Sequence, residues 1–303
     1  MAHLASGPAR AAAICETGMN LPEFIYTKVL AAKPLRRLAN AVIRWIVPAQ
    51  LRIGNATVVL NPNDPVISGA LTFGVYEKPE TRFFRAVCRP GITFLDIGAN
   101  VGYYTALAMA AGASKVVALE PDPENFRYLE ATIRANAPAQ AIAVPKAAGT
   151  APGKLTLYRS SSNRGDNRLY PNELSDQSCA VEVCTIDQLL VELNTLTVDL
   201  LKADVQGYEA QVLEGMQHTI ARSSNLTGMM EFWPDGLMRA GTQPVDFLNR
   251  LEQLGLRLYE LTSKGNLSAL RDKRDLIARH PGRQYTNVVF FKGAATPPPS
   301  LLS

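Results

Sequence analysis

The chain is poor in the residues that build metal centres and disulfide frameworks. Of its 303 residues only three are histidine and four are cysteine, and none of these recurs with Asp or Glu at zinc-ligand spacing, so no metal site is expected. Cys15, Cys88, Cys179 and Cys184 form no Cys-x-x-Cys pair, and Cys179 and Cys184 stand an odd number of residues apart on one expected strand, facing opposite sides. They read as free thiols of a reducing cytoplasm. No run of about eighteen apolar residues occurs, which excludes a bilayer-spanning helix. The alanine-rich start, Met1 to Gly18, lacks the hydrophobic region of a signal peptide. Charge is also sparse: 19% of residues are charged, the formal balance is +4, and the basic residues are scattered, which argues against a nucleic-acid partner.

What is present, 47% hydrophobic residues with 21 glycines and 20 prolines, suits one large α/β domain with an extension. Residues 1–50 read as a helical extension closed by Pro48, residues 51–293 as the domain, and residues 294–303, with Pro297-Pro298-Pro299, as a disordered tail. In the extension Leu35, Leu38, Val42, Trp45 and Ile46 share a helical face, with Arg36, Arg37 and Arg44 largely off it. Such a helix lies on an anionic membrane surface, packs on its own domain, or packs on a second copy in a homo-oligomer. Trp45 and Trp233 are expected to pack, Trp233 close enough to Glu231 to wall a pocket.

The most informative stretch is Thr93-Phe94-Leu95-Asp96-Ile97-Gly98-Ala99-Asn100-Val101-Gly102-Tyr103-Tyr104. An apolar strand ends in a carboxylate, turns on glycine and enters a helix. A second strand, Lys115 to Leu119, also ends in an acid, Glu120, placed to accept from ribose hydroxyls. Asp96 beside the turn would repel a pyrophosphate, and the glycines run G-x-x-x-G instead of G-x-G-x-x-G. S-adenosylmethionine carries an ammonium and a sulfonium and no phosphate, and it suits two acids flanking a glycine turn. The plainer reading makes Asp96 a helix cap.

Further strands are expected at Ala141–Pro145, Val198–Asp204 and Leu226–Phe232, with one helix over Glu209–Ala221, an antiparallel pair at Lys154–Tyr158 and Ala180–Thr185, and a final hairpin of Leu256–Leu261 with Asn287–Phe291. Leu51 to Pro62 reads as a hairpin turned at Gly54-Asn55. Asp96, Glu120, Asp204 and Glu231 then fall together at four strand ends, where such sheets bind ligands. Asp204 stands where a carboxylate could take a proton from an attacking hydroxyl, or share a divalent cation with Glu231, a role not favoured because no third ligand is evident. The polar stretch 160–176, holding Asn163, Arg164 and Asp166, is expected to form a mobile flap over the acceptor. His280 is a weak substrate-contact candidate, and Arg271 to Arg283 reads as a basic loop.

Leu95 to Thr105, then Glu120-Pro121-Asp122-Pro123 with Asn125-Phe126, then Leu201-Lys202-Ala203-Asp204-Val205-Gln206-Gly207-Tyr208-Glu209 with Val212-Leu213, resemble the FkbM-type S-adenosylmethionine-dependent methyltransferases. The similarity runs from about Tyr76 to Phe291. It implies an α/β, Rossmann-like class I methyltransferase fold, here a seven-stranded, mostly parallel sheet ending in the antiparallel hairpin, and O-methylation of a sugar, glycan or secondary-metabolite hydroxyl. By position, Asp96, Gly98, Asn100, Gly102 and Glu120 would hold S-adenosylmethionine, while Asp204 and Glu209 match the second block. Gln206 stands where related sequences often have an acid. N-methylation of an amine, protein or nucleic acid, and a non-catalytic protein that keeps the cofactor fold, are the alternatives.

Overall fold

The computed structural model describes residues 43–136, 141–160, 163–171, 175 and 177–302. The amphipathic stretch up to Val42 lies outside the described residues. Of its continuation, Ile43 is buried, whereas Trp45 is 91% exposed and so does not pack as expected.

Strands β1 (Gln50–Ile53) and β2 (Ala56–Val59) form the expected hairpin, followed by helices α1 (Ile67–Thr72) and α2 (Lys78–Val87). The doubly wound part opens with β3 (Thr93–Ile97), α3 (Tyr103–Ala110), β4 (Lys115–Leu119), α4 (Pro123–Asn136) and β5 (Ala141–Val144). A small sheet of β6 (Lys146–Ala148), β7 (Gly153–Arg159) and β8 (Gln177–Cys184) is inserted next. Winding resumes with α5 (Ile186–Glu192), β9 (Leu200–Ala203), α6 (Glu209–Glu214), α7 (Gln217–Arg222) and β10 (Leu226–Phe232). The chain closes with α8 (Pro234–Arg239), α9 (Pro244–Gln253), β11 (Arg257–Leu261), β12 (Leu267–Ala269), α10 (Lys273–Ala278) and β13 (Thr286–Lys292).

The main sheet has the order β12-β11-β13-β10-β9-β3-β4-β5. Strands β10, β9, β3, β4 and β5 are parallel, and β13, β11 and β12 add antiparallel to their neighbours. Its central strands are apolar on both faces because helices cover both: Phe94, Leu95, Val116 and Val117 are fully buried. Winding reverses between β3 and β9, and the crevice opens at their carboxyl ends.

Four expectations need correction. The sheet has eight strands, not seven: Gly265, at φ +76°, turns the chain so that β12 pairs with β11 and buries Leu267. Strand β11 pairs with β13 as expected, but β12 and α10 intervene, and α10 occupies part of the expected basic loop, capped by Asp272. The single helix over Glu209–Ala221 is two, because at Gly215 the chain passes so close to Gly149 that a Cβ would stand 2.0 Å from its carbonyl oxygen. The proline-rich tail is not disordered through residue 302: a 3₁₀ turn at Pro299–Leu301 buries Leu301, and Leu302 bridges to Leu267.

Candidate active site

The turn after β3 is held by backbone bonds and by one carboxylate. The amides of Gly98 and Ala99 both donate to the carbonyl of Leu119, at 3.0 and 2.9 Å, tying the turn to the end of β4. Gly98 has φ +78°, and a Cβ there would stand 2.0 Å from the carbonyl oxygen of Asp204. Only glycine allows the β3 and β9 ends to come this close. Asn100 adopts the left-handed region (φ +52°), and its amide donates to Glu120 Oε2 at 2.9 Å; the Asp122 amide donates to Oε1 at 2.9 Å. Burial pushes the Glu120 carboxyl up to about 8 even against these two amides.

A cavity of about 260 Å³ lies over the turn. Of the expected site residues, Gly98, Asn100, Glu120, Asn163, Arg164, Asp204 and Glu231 are on its wall; Asp96, Gly102, Asp166 and Trp233 are not. Asp96 is 1% exposed and turns beneath α3, accepting from Thr105 Oγ1 at 2.7 Å. Gly102 serves packing: a Cβ would meet Leu129 Cδ1 at 2.9 Å, so it is there to let α3 approach α4. Asp166 pairs with Arg168. Trp233 is buried, donates from Nε1 to the carbonyl of Gly282 at 2.6 Å, and carries the Arg168 guanidinium 4.4 Å above its ring. His280 Nδ1 donates to the Leu276 carbonyl (2.8 Å), and the residue lies off the cavity wall.

Asp204, at the end of β9, is the focus. Its Oδ1 accepts from Gln206 Nε2 at 2.8 Å, and its Oδ2 lies 3.4 Å from Lys202 Nζ. The same Gln206 amide reaches Glu231 Oε1 at 3.2 Å, so the residue that departs from the resembled motif ties the two acids together. Gln206 is itself left-handed (φ +57°), which aims its side chain back at Asp204. Glu209 is fully buried beneath this turn and accepts from the Val205 amide at 2.9 Å.

Sequence reasoning missed a second set of walls. Glu77, left-handed at φ +38°, accepts from Tyr104 OH at 2.6 Å; Glu80 accepts from Asn287 Nδ2 at 2.9 Å. Tyr76 and Tyr285 complete this end. Burial pushes Glu77 up to about 7 and raises Glu80, and burial followed by the charges of Asp204 and Glu209 raises Glu231 well above the carboxylate range. Burial would strip the proton from Lys202, but Asp204, Glu77 and Asp96 outweigh it and hold the ammonium above the usual lysine range. The signals were a lysine inside an apolar central strand and a Glu-Lys-Pro-Glu run opening an amphipathic helix.

The polar stretch after β7 is tied over the other end. Arg159 Nε meets Asp122 Oδ2 at 2.5 Å, Asn167 Nδ2 donates to the same oxygen at 3.2 Å, and Arg164 Nη2 meets Glu124 Oε2 at 3.1 Å. Tyr170 OH donates to the carbonyl of Gln206 at 2.7 Å, joining the stretch to the Asp204 turn. Part of the expected flap, 161–162, 172–174 and 176, lies outside the described residues.

A mostly parallel α/β sheet with a glycine turn after β3, an acid after β4 and an acid-lined crevice at the switch point has the architecture of a Rossmann-like methyltransferase. The sequence profile described as the methyltransferase FkbM domain matches residues 96–255, just over half of the chain, and the chain belongs to the FkbM methyltransferase family. Among solved structures it is similar to methyltransferase FkbM from Methylobacillus flagellatus KT, at 14% identity and a TM-score of 0.42, covering 86% of this chain and 60% of that one. The chain thus spans less than two thirds of that protein's length. It is also similar to a TehB-like SAM-dependent methyltransferase from Corynebacterium glutamicum (15% identity, TM-score 0.41, 74% of this chain and 92% of that one). No curated protein matches the chain. Among the described residues no helix is long and apolar enough to cross a membrane, and no three His, Cys, Asp or Glu side chains are grouped to hold a metal ion.

Proposed function

We propose that this methyltransferase uses S-adenosylmethionine to methylate a hydroxyl of a small molecule (a sugar, a glycan or a secondary metabolite), with Asp204 as the general base. The observation that carries the reading is the placement of Asp204: its backbone carbonyl closes over Gly98 while its carboxylate faces the cavity, flanked by Lys202 and Gln206.

The residues present fit the cofactor. The Gly98 position leaves no room for a side chain, the Glu120 carboxyl stands on the wall, and Asn125, 1% exposed and also on the wall, has an Oδ1 without a hydrogen-bond partner. When bound, S-adenosylmethionine supplies a methyl group on a cationic sulfur. Gly98, Asn100 and Glu120 would hold it, and the Asp204 carboxylate on the same wall favours a positive charge over an anion. Asp204 accepts the hydroxyl proton at a carboxylate oxygen. Lys202 and Gln206 fix which oxygen faces the acceptor. The apolar Ile97 and Val101 and the stretch at Asn163–Gly165 exclude water from the nucleophile. Transfer of labelled methyl from S-adenosylmethionine to a panel of neutral sugars and phenols tests the reading; labelling of amines alone overturns it.

Glu120→Ala is expected to weaken S-adenosylmethionine binding by roughly 1.5–3 kcal/mol, since it removes a carboxylate that would accept from the ribose. Calorimetry reads the change, and Glu120→Gln, which keeps the acceptor for the Asp122 amide, separates ligand contact from loss of the turn.

The acids also set a pH dependence of stability. Burial pushes Glu77 up to about 7 and Glu209 up to about 8, so the folded state binds their protons more tightly than the unfolded chain. This contribution is fully present below the usual carboxylate range and is lost as pH rises through those values. The thermal midpoint without ligand is expected to fall between about pH 5 and about pH 8. Glu77→Gln, which still accepts from Tyr104, should raise stability at about pH 8 by about 1–2 kcal/mol and flatten the profile; a steeper profile in that variant would contradict the assignment.

A further inference from the structure

A second cavity, of about 690 Å³, adjoins the acceptor end of the first and is lined differently. Its walls are β1, the turn after α1 and the first two turns of α2. Leu51, Ile53, Leu71 and Phe73 give it an apolar floor, and Arg52, Arg82, Arg85 and Lys78 a cationic rim. Among the described residues no acid lines it, whereas Glu77 and Glu80, on either side of Lys78 in the sequence, turn into the active-site cavity. Arg52 and Arg82 are bonded only to neutral oxygens among the described residues: Arg52 Nε to the Gly54 carbonyl (3.2 Å), Arg82 to Lys264, Asn266 and Ser300. Among the described residues none of Arg52, Arg82 and Arg85 forms an ion pair, so these three guanidinium groups keep their charge.

Among the described residues two line both cavities, Tyr76 and Tyr103, whose rings meet edge to face with centroids 5.3 Å apart. Thr81 Oγ1 bonds Tyr103 OH at 2.9 Å and holds that ring in place. The partition is thus aromatic, with an acidic, hydroxyl-seeking chamber on one side and a cationic groove with an apolar floor on the other.

We propose that the groove binds the distal part of the acceptor, and that this part is a phosphate carried on an apolar segment. Guanidinium groups arranged around a rim match a phosphate, which offers several oxygens at once, and the floor offers an aliphatic segment a place out of water. An amphiphile so bound presents its uncharged, hydroxyl-bearing end past Tyr76 and Tyr103 to Asp204, and the arginines that hold the phosphate on the far side of the partition fix its direction. The proposal rests on the methyltransferase reading for the first cavity but concerns the second.

The test is calorimetric titration of the full chain with octyl phosphate, octyl glucoside and inorganic phosphate, each without and with saturating S-adenosylmethionine. Octyl phosphate is expected to bind more tightly than either control, to bind alongside S-adenosylmethionine, and to bind at least about tenfold more weakly to the exposed double variant Arg52→Gln/Arg85→Gln, whose thermal midpoint and S-adenosylmethionine affinity stay at wild-type values. Equal binding of inorganic phosphate or octyl glucoside, mutual exclusion with S-adenosylmethionine, unchanged affinity in the variant, or tighter binding of a short RNA than of octyl phosphate would each overturn it. Failure of S-adenosylmethionine itself to bind would strike the methyltransferase reading instead, so the two failures are distinguishable.

Discussion

Asp204→Asn is expected to lower methyl transfer by about 10²–10⁴-fold while leaving S-adenosylmethionine affinity nearly unchanged. The substitution keeps shape and size, so the close pass of the β9 end over Gly98, which is made by the Asp204 backbone, is preserved. It removes the proton acceptor and the counter-charge of Lys202, 3.4 Å away. Because Gln206 donates to Asp204 Oδ1 and to Glu231, the amide oxygen of asparagine can still accept that bond, which isolates the loss to chemistry. Transfer of labelled methyl, paired with calorimetry of the cofactor, reads both halves. Turnover within a few-fold of wild type would remove Asp204 as base. Activity silenced by a chelator and restored by magnesium would move the carboxylate to a metal-holding role.

Gly98→Ala is expected to be the most damaging small substitution in the site. The added methyl would stand 2.0 Å from the Asp204 carbonyl oxygen, a backbone atom that cannot rotate away, and φ +78° is costly for any residue with a Cβ. Relief requires the β3 and β9 ends to separate, which would break the Asp204 amide bond to the Ile97 carbonyl (3.0 Å) and displace the base. A loss of at least about 3 kcal/mol follows from the strain and the clash together. Denaturant unfolding reads the stability, and calorimetry should show no cofactor binding. A variant with the wild-type midpoint and full S-adenosylmethionine affinity would show that the turn is not what positions Asp204.

The strand-turn-helix at Thr93–Tyr104 and the acid at Glu120 were legible because they are local. A continuous apolar run, a positive-φ glycine and a carboxylate one residue beyond a strand are written within a few positions of one another. Gln206 was noticed as a departure, but its bridge to Glu231 spans two strand ends and could be seen only once β9 and β10 lay side by side. Cavity-lining carboxylates were expected at the right strand ends, yet Asp96, of the same type in the same motif, turns under α3 to Thr105. Strand periodicity places a side chain on a face of the sheet and leaves open what the covering helix does with it. Gly102 looked like a cofactor glycine for the same reason, and its actual neighbours, Leu129 and Thr132, belong to a helix that begins more than twenty positions later.

By itself the sequence determined the α/β class, the parallel core from β3 to β10, the glycine turn, Glu120 and Asp204, since each follows from local backbone conformation and from apolar strands that must be buried on both faces. The tertiary structure alone decided the far end of the cavity: Tyr76 and Glu77 come from the turn before α2, Glu80 from its first turn and Tyr285 from the loop before β13, brought to Lys202 and Asp204 by packing across the sheet. It also decided the change in charge across Tyr76 and Tyr103, because whether neighbouring glutamates and arginines on one helix face the same chamber depends on the helix's rotation against the sheet, which no local pattern encodes.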